Sequence, residues 1–147
     1  MNWQGLIFDV DGTLWNTERL QIDAYNYQLQ QEGYTDIHIT ADRLRPLFGK
    51  TMTALADGLF PTVPQSLRYG LMDRCVAQMN RFFEEYATAD VGYPSLRETM
   101  EHLRKKYRLF IVSNGPKGYG QLAAKCLGIE DLIEGCLSFG DTGKTKG

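Results

Sequence analysis

The chain has 147 residues, 43% of them hydrophobic and 23% charged, a composition that excludes a disordered segment and suits one globular domain with a modest insertion. A net charge of −2 excludes a broad basic field for nucleic acid. With no apolar run of roughly 18 residues and no amino-terminal targeting pattern, the sequence predicts a cytoplasmic protein that does not engage a membrane.

Three cysteines, Cys75, Cys126 and Cys136, are widely spaced without a CxxC, and His38 and His102 lie far apart. That pattern excludes a zinc site, and Cys75 and Cys126 read as buried reduced thiols.

Residues 5–9, GLIFD, form a short apolar run ended by acid and glycine, the pattern of a buried parallel strand. From 17 to about 90 the pattern is helical. Leu20, Ala24 and Tyr27 share one face, a turn follows at Gly33, and Thr40 can cap a short helix that Pro46 closes. Another helix is predicted near 51–59, and FPTVP at 60–64 is a proline-marked connection. Leu67, Leu71, Cys75, Met79 and Phe82 then make the apolar stripe of a long helix running to about Tyr86, with Phe82, Phe83 and Tyr86 as its aromatic core.

At Gly92-Tyr93-Pro94 the character changes. Ser95 followed by Glu98 is a capping-box signature, and Leu96, Met100, Leu103 and Tyr107 share a helix face. The basic run at 104–107 reads as the solvated end of that helix. RLFIVS at 108–113 predicts a second buried strand, ended by Asn114-Gly115-Pro116. A helix follows from about 118 to 127, with Gly128 past its end and Ile129 as apolar partner. CLSF at 136–139 is a third short strand, and a tail rich in Gly, Thr and Lys closes the chain. This order predicts an α/β core with a parallel sheet, residues 1–16 and 92–147, interrupted by a helical insertion, residues 17–91.

Asp9 and Asp11 stand one residue apart at the end of the first strand, and Ser113 ends the second. Ligands of open α/β sheets sit beyond the carboxyl ends of the strands, so all three would line one crevice. Two acids at this spacing can share a divalent cation, one through its carboxylate and one through its backbone carbonyl, and hard oxygen donors suit Mg²⁺. The pair also suits divided labour, one carboxylate attacking while the other moves a proton. Asp-x-Asp-Gly is equally good turn chemistry. A calcium loop is excluded, because Gly12 is fourth from Asp9 and not sixth.

DVDGTL after an apolar strand resembles the first motif of the haloacid dehalogenase (HAD) superfamily in its phosphatase branch, and IVSNG at 111–115 resembles the second. The stretch SNGPKGY, with FGDTGKTKG downstream, is similar to phosphoglycolate-phosphatase-like and β-phosphoglucomutase-like members. The resemblance implies a Rossmann-like core with an inserted helical cap, Mg²⁺ as cofactor and a small phosphorylated metabolite as substrate. It implies Asp9 as nucleophile forming an aspartyl-phosphate, and Asp11 as general acid and then base. Asp9 and the Asp11 carbonyl would hold Mg²⁺, and Ser113, Asn114 and Thr13 would bind the phosphoryl group. Bringing Asp9 to a phosphate costs about 4 kcal/mol per unit of like charge at about 4 Å and an effective dielectric of about 20. A lysine must offset this, and the family's third motif supplies one. Lys146 is the first choice and Lys144 the second.

One family feature has no counterpart. The fourth motif, an acidic pair after that lysine, is missing, since Asp141 precedes the lysines and the residue four later is Thr145. The last two strands of the usual core are also missing. The chain therefore resembles a truncated member. It is expected to bind Mg²⁺ weakly, to turn over slowly and to self-associate through an exposed sheet edge. In the insertion, LFGKTMTAL at 47–55 resembles the family's substrate-facing turn, with Lys50 reaching an anionic group and Arg43 and Arg45 as weaker candidates. Trp15 and Asn16 would serve as hinge and gate, or as simple packing. The alternatives to a phosphatase are mutase-like phosphoryl transfer and a catalytically inactive remnant used for binding or assembly.

Overall fold

The structure is a computed structural model describing residues 4–146. In chain order its elements are strand β1 (Gly5–Phe8) and helices α1 (Glu18–Gln31), α2 (Ala41–Leu44), α3 (Met52–Leu59), α4 (Gln65–Tyr86) and α5 (Leu96–Arg104). Strand β2 (Arg108–Ser113), helix α6 (Tyr119–Cys126), strand β3 (Gly135–Ser138) and helix α7 (Phe139–Thr142) follow. The chain divides into two compact units, one of Met1–Asn16 with Ala87–Gly147 and one of Thr17–Tyr86. Among the described residues no helix is long and apolar enough to cross a membrane.

The first unit is built on a parallel sheet of order β1-β2-β3. Register runs Phe8↔Ile111 between β1 and β2, and Ser113↔Ser138 between β2 and β3. β2 alternates as a pleated strand must: Leu109, Ile111 and Ser113 are buried, while Phe110 and Val112 are half-buried. The buried face carries α6, whose Gly120 lies against Ile111 and Cys136. On the opposite face Ile7 is 70% exposed and Leu137 54%. β1 and β3 are the two edges of the described sheet.

The second unit packs α1 on α4. Ala24, Tyr25 and Leu29 of α1 are buried, as are Leu71, Met72, Cys75, Val76, Met79 and Phe83 of α4. The Tyr25 hydroxyl donates to Met79 Sδ at 3.4 Å. Burial pushes the Cys75 thiol up to about 12, which leaves it inert at neutral pH.

Several local expectations are corrected. Leu67 and Tyr27 are exposed, Phe82 is half-buried and Tyr86 is exposed. The stripe keeps strict four-residue steps through Leu71, Cys75 and Met79 to Phe83, and Tyr25 takes the inward place given to Tyr27. Phe82 instead joins Tyr27 and Tyr86 in a surface aromatic group, with centroids 5.8 and 5.5 Å apart. Cys126 is half-buried. Thr40 precedes α2 without a side-chain cap, whereas Thr51 Oγ1 accepts from Ala54 N–H at 3.3 Å and caps α3.

Ser95 makes no capping bond, because its backbone is left-handed at φ 58°. The Ser138 N–H donates to the Asp141 carboxylate at 2.9 Å, so a cap forms at α7, where the sequence reading had only a tail.

Candidate active site

The end of β1 turns sharply. Leu14 N–H and Thr13 N–H both donate to the Val10 carbonyl, at 2.9 and 3.1 Å, and Gly12 N–H donates to the Trp15 carbonyl at 3.1 Å. This turn sets Asp9 and Asp11 at the carboxyl end of β1 and leaves Thr13 exposed. Asp9 Oδ1 accepts from Val10 N–H at 2.8 Å and lies 2.5 Å from Lys146 Nζ. Both contacts use Oδ1, so Oδ2 accepts no hydrogen bond among the described residues.

Asp11 is held differently. Its Oδ1 accepts from the Tyr119 hydroxyl at 2.7 Å and from Trp15 Nε1–H at 3.1 Å. Burial pushes the Asp11 carboxyl above its ordinary value, and the Tyr119 and Trp15 hydrogen bonds hold it down in part. Nearby Asp9 raises it further and Lys146 lowers it. Trp15 is 0% exposed and meets the Tyr119 ring edge-on, with centroids 6.1 Å apart. It packs on Tyr119 within the first unit.

Ser113 ends β2, buried, with its Oγ accepting from Gly115 N–H at 3.0 Å. A hydroxyl oxygen so engaged keeps its own O–H for donation. The Asn114 side chain accepts from Lys146 N–H at 3.1 Å. Lys146 thus bridges the two strand ends, its ammonium on Asp9 and its amide on Asn114. Lys144 is exposed, its N–H donating to Thr142 Oγ1 at 3.1 Å, and it forms no ion pair among the described residues.

The remaining candidates lie in the helical unit. Lys50 is exposed after a 3₁₀ turn at Arg45–Leu47. Arg43 donates to the His38 and Leu59 carbonyls, at 2.8 and 2.6 Å, and Arg45 forms a bidentate pair with Glu18. Both arginines are spent on local structure.

Among the described residues no three His, Cys, Asp or Glu side chains converge as a metal-binding group. The donors present still fit a hard cation that keeps several waters and is held through one or two carboxylates. Asp9 offers an unengaged oxygen on a side chain that is 34% exposed.

Sequence reading did not single out Tyr119. It closes the stretch SNGPKGY, but it stands 108 positions from Asp11, and only the fold brings the two together.

The haloacid dehalogenase-like hydrolase family model matches residues 6–146. No curated protein matches the chain. Among solved structures the chain is similar to β-phosphoglucomutase from Clostridium difficile, at 17% identity and a TM-score of 0.76, covering 99% of this chain and 64% of that one. A predicted phosphoglycolate phosphatase from Haemophilus somnus gives 20% identity and a TM-score of 0.76, covering 99% of this chain and 67% of that one. A haloacid dehalogenase-like family hydrolase from Streptococcus pneumoniae gives 18% identity and a TM-score of 0.68, covering 92% and 61%. The chain therefore spans less than two thirds of the length of the first of these, 64%.

Proposed function

Since this chain belongs to the haloacid dehalogenase-like hydrolase family, we propose that it is a Mg²⁺-dependent phosphatase acting on a phosphomonoester of a small metabolite. The observation that carries this reading is the meeting at the sheet's carboxyl end of Asp9, Lys146 and the Ser113–Asn114 strand end, with Lys146 Nζ 2.5 Å from Asp9.

In this reading Asp9 attacks phosphorus to form an aspartyl-phosphate, and the ester oxygen leaves with a proton from Asp11. Asp11, now a carboxylate, then takes a proton from the water that hydrolyses the intermediate. A carboxyl raised by burial suits the first of these tasks. Ser113, Asn114 and Thr13 are the proposed phosphoryl contacts, and Lys146 offsets the charge of the incoming phosphate. Asp9 and the Asp11 carbonyl would hold Mg²⁺. When bound, the ion supplies positive charge against the phosphoryl oxygens. Unit Thr17–Tyr86 is the proposed cap, with Lys50 contacting an anionic part of the substrate; Lys50→Ala should raise KM and leave kcat nearly unchanged. Self-association is proposed through β1, whose Ile7 is 70% exposed. A sedimentation profile that is monomeric at all concentrations refutes it.

The test is phosphate release from a panel of phosphomonoesters with and without Mg²⁺. The parent chain should release phosphate only with the metal, and Asp9→Asn should lose at least about a thousandfold. Equal release by parent and Asp9→Asn would leave a binding module as the better reading.

A further inference from the structure

We propose that Tyr119, together with Trp15, is the positioning residue of the leaving-group acid: the two hold Asp11 by Oδ1, so that the proton given to substrate is carried on Oδ2. This inference rests on the reading of Asp11 as that acid.

A carboxyl oxygen has two lone-pair positions. On Asp11 Oδ1, one accepts from the Tyr119 hydroxyl at 2.7 Å and the other from Trp15 Nε1–H at 3.1 Å. The indole N–H only donates, and a proton placed on Oδ1 would displace it and force the Tyr119 hydroxyl to reverse from donor to acceptor, whereas a proton on Oδ2 leaves both hydrogen bonds intact. Oδ2 accepts no hydrogen bond among the described residues, so it is the oxygen left to carry a proton toward substrate.

The two donors are themselves fixed. Tyr119 is 3% exposed and Trp15 0%, and their rings meet at an interplanar angle of 69°. Trp15 is pinned by backbone bridges to Asp11 and Gly92. Tyr119 starts α6 and lies over the loop that follows β2. There Gly115 is required, because a Cβ on it would stand 2.6 Å from the tyrosine ring. The same Gly115 gives its N–H to Ser113 Oγ. One residue therefore sets both the serine at the strand end and the space for the tyrosine that orients the acid.

The step balances. An Asp9 carboxylate oxygen forms a bond to phosphorus, and the bond from phosphorus to the ester oxygen breaks, its electron pair staying on that oxygen. The proton on Asp11 Oδ2 moves to the same oxygen and an alcohol departs. Asp11 is left as a carboxylate, with Tyr119 and Trp15 already donating to Oδ1.

The variant is Tyr119→Phe, which keeps the ring and removes the hydroxyl. We compare kcat/KM on an alkyl phosphate, whose leaving group needs a proton, and on p-nitrophenyl phosphate, whose leaving group does not. The expected loss is about tenfold or more on the alkyl ester and under about threefold on the nitrophenyl ester. Equal losses on both mean a merely structural role and overturn the proposal. Asp11→Asn is run in parallel and should show the same asymmetry in larger form. Symmetric losses in Asp11→Asn remove the acid reading itself, whereas asymmetry in Asp11→Asn without asymmetry in Tyr119→Phe removes only the tyrosine's role. A readout independent of turnover is the Trp15 indole N–H resonance of the full chain. It should shift in both Tyr119→Phe and Asp11→Asn, and an unmoved resonance in Tyr119→Phe overturns the shared oxygen. Trp15→Phe, which removes the other donor, serves should Tyr119→Phe fail to fold, with the same expected asymmetry.

Discussion

Replacing Gly140 by alanine tests how the tail is seated. A Cβ at this position would lie 2.0 Å from the Lys117 nitrogen and 2.7 Å from the Pro116 carbonyl carbon. Both are backbone atoms, so no change of rotamer relieves the clash, and α7 must lift from the loop after β2. Lifting breaks the hydrogen bond from Gly140 N–H to the Gly115 carbonyl at 3.2 Å, about 1 kcal/mol. It also pulls on Lys146, whose ion pair with Asp9 is partly exposed and contributes about 1 kcal/mol at most. Forced contacts of this kind cost about 1–3 kcal/mol. We expect a loss of about 2 kcal/mol, which for a chain of this size lowers Tm by roughly 4–8 °C. Phosphate release should fall as well, because the lysine leaves Asp9. The control is Gly70→Ala within α4, where the added Cβ meets only the Arg74 guanidinium at 3.3 Å, the end of a long side chain and not backbone. That change should raise stability by up to about 1 kcal/mol. Thermal melts followed by circular dichroism, with a phosphate assay beside them, decide the matter. A Gly140→Ala chain that melts within about 1 °C of the parent and keeps its turnover refutes the reasoning.

Two further outcomes are expected. Asp11→Asn should raise Tm at neutral pH. Because burial raises this carboxyl in the folded state, its contribution to stability is fully present at low pH and is lost as pH climbs through the raised value. The gain from Asn should therefore shrink toward zero in acid, and a pH-independent gain counts against it. Phe83→Ala, at a side chain 0% exposed, should cost about 3–5 kcal/mol, whereas Phe82→Ala on the surface aromatic group should cost clearly less. Denaturant melts of the two variants check the register of α4.

The parts of the fold set by short-range chemistry were legible in the sequence. β2 matches its predicted residues because an apolar run of four, Leu109 to Val112, meets Ser-Asn-Gly-Pro. The end of α6 was equally plain: Gly128 at φ 67° lets Ile129 N–H reach the Ala124 carbonyl at 2.9 Å and buries Ile129. The motifs at Asp9 and Ser113 were found because each stands at a strand's carboxyl end.

What could not be read depends on small angular choices or on distance along the chain. A step of three instead of four after Met79 moved the stripe from Phe83 to Phe82. Ser95 carries the right letters for a cap, yet its left-handed backbone turns the hydroxyl away from that task. The serine that does join a cap, Ser138, read as strand. Tyr119 closes the stretch SNGPKGY, yet nothing there points to Asp11, since that partnership is fixed by tertiary packing.

The seat of Lys146 bears on how the protein should be handled. Lys146 sits at the Asp9 carboxylate, whereas Gly5 opens β1 at the far end of the strand. A bulky label on the segment 144–146 would crowd the ammonium on Asp9. Surface labels belong away from it, on exposed positions such as Leu67 or Tyr86 of α4.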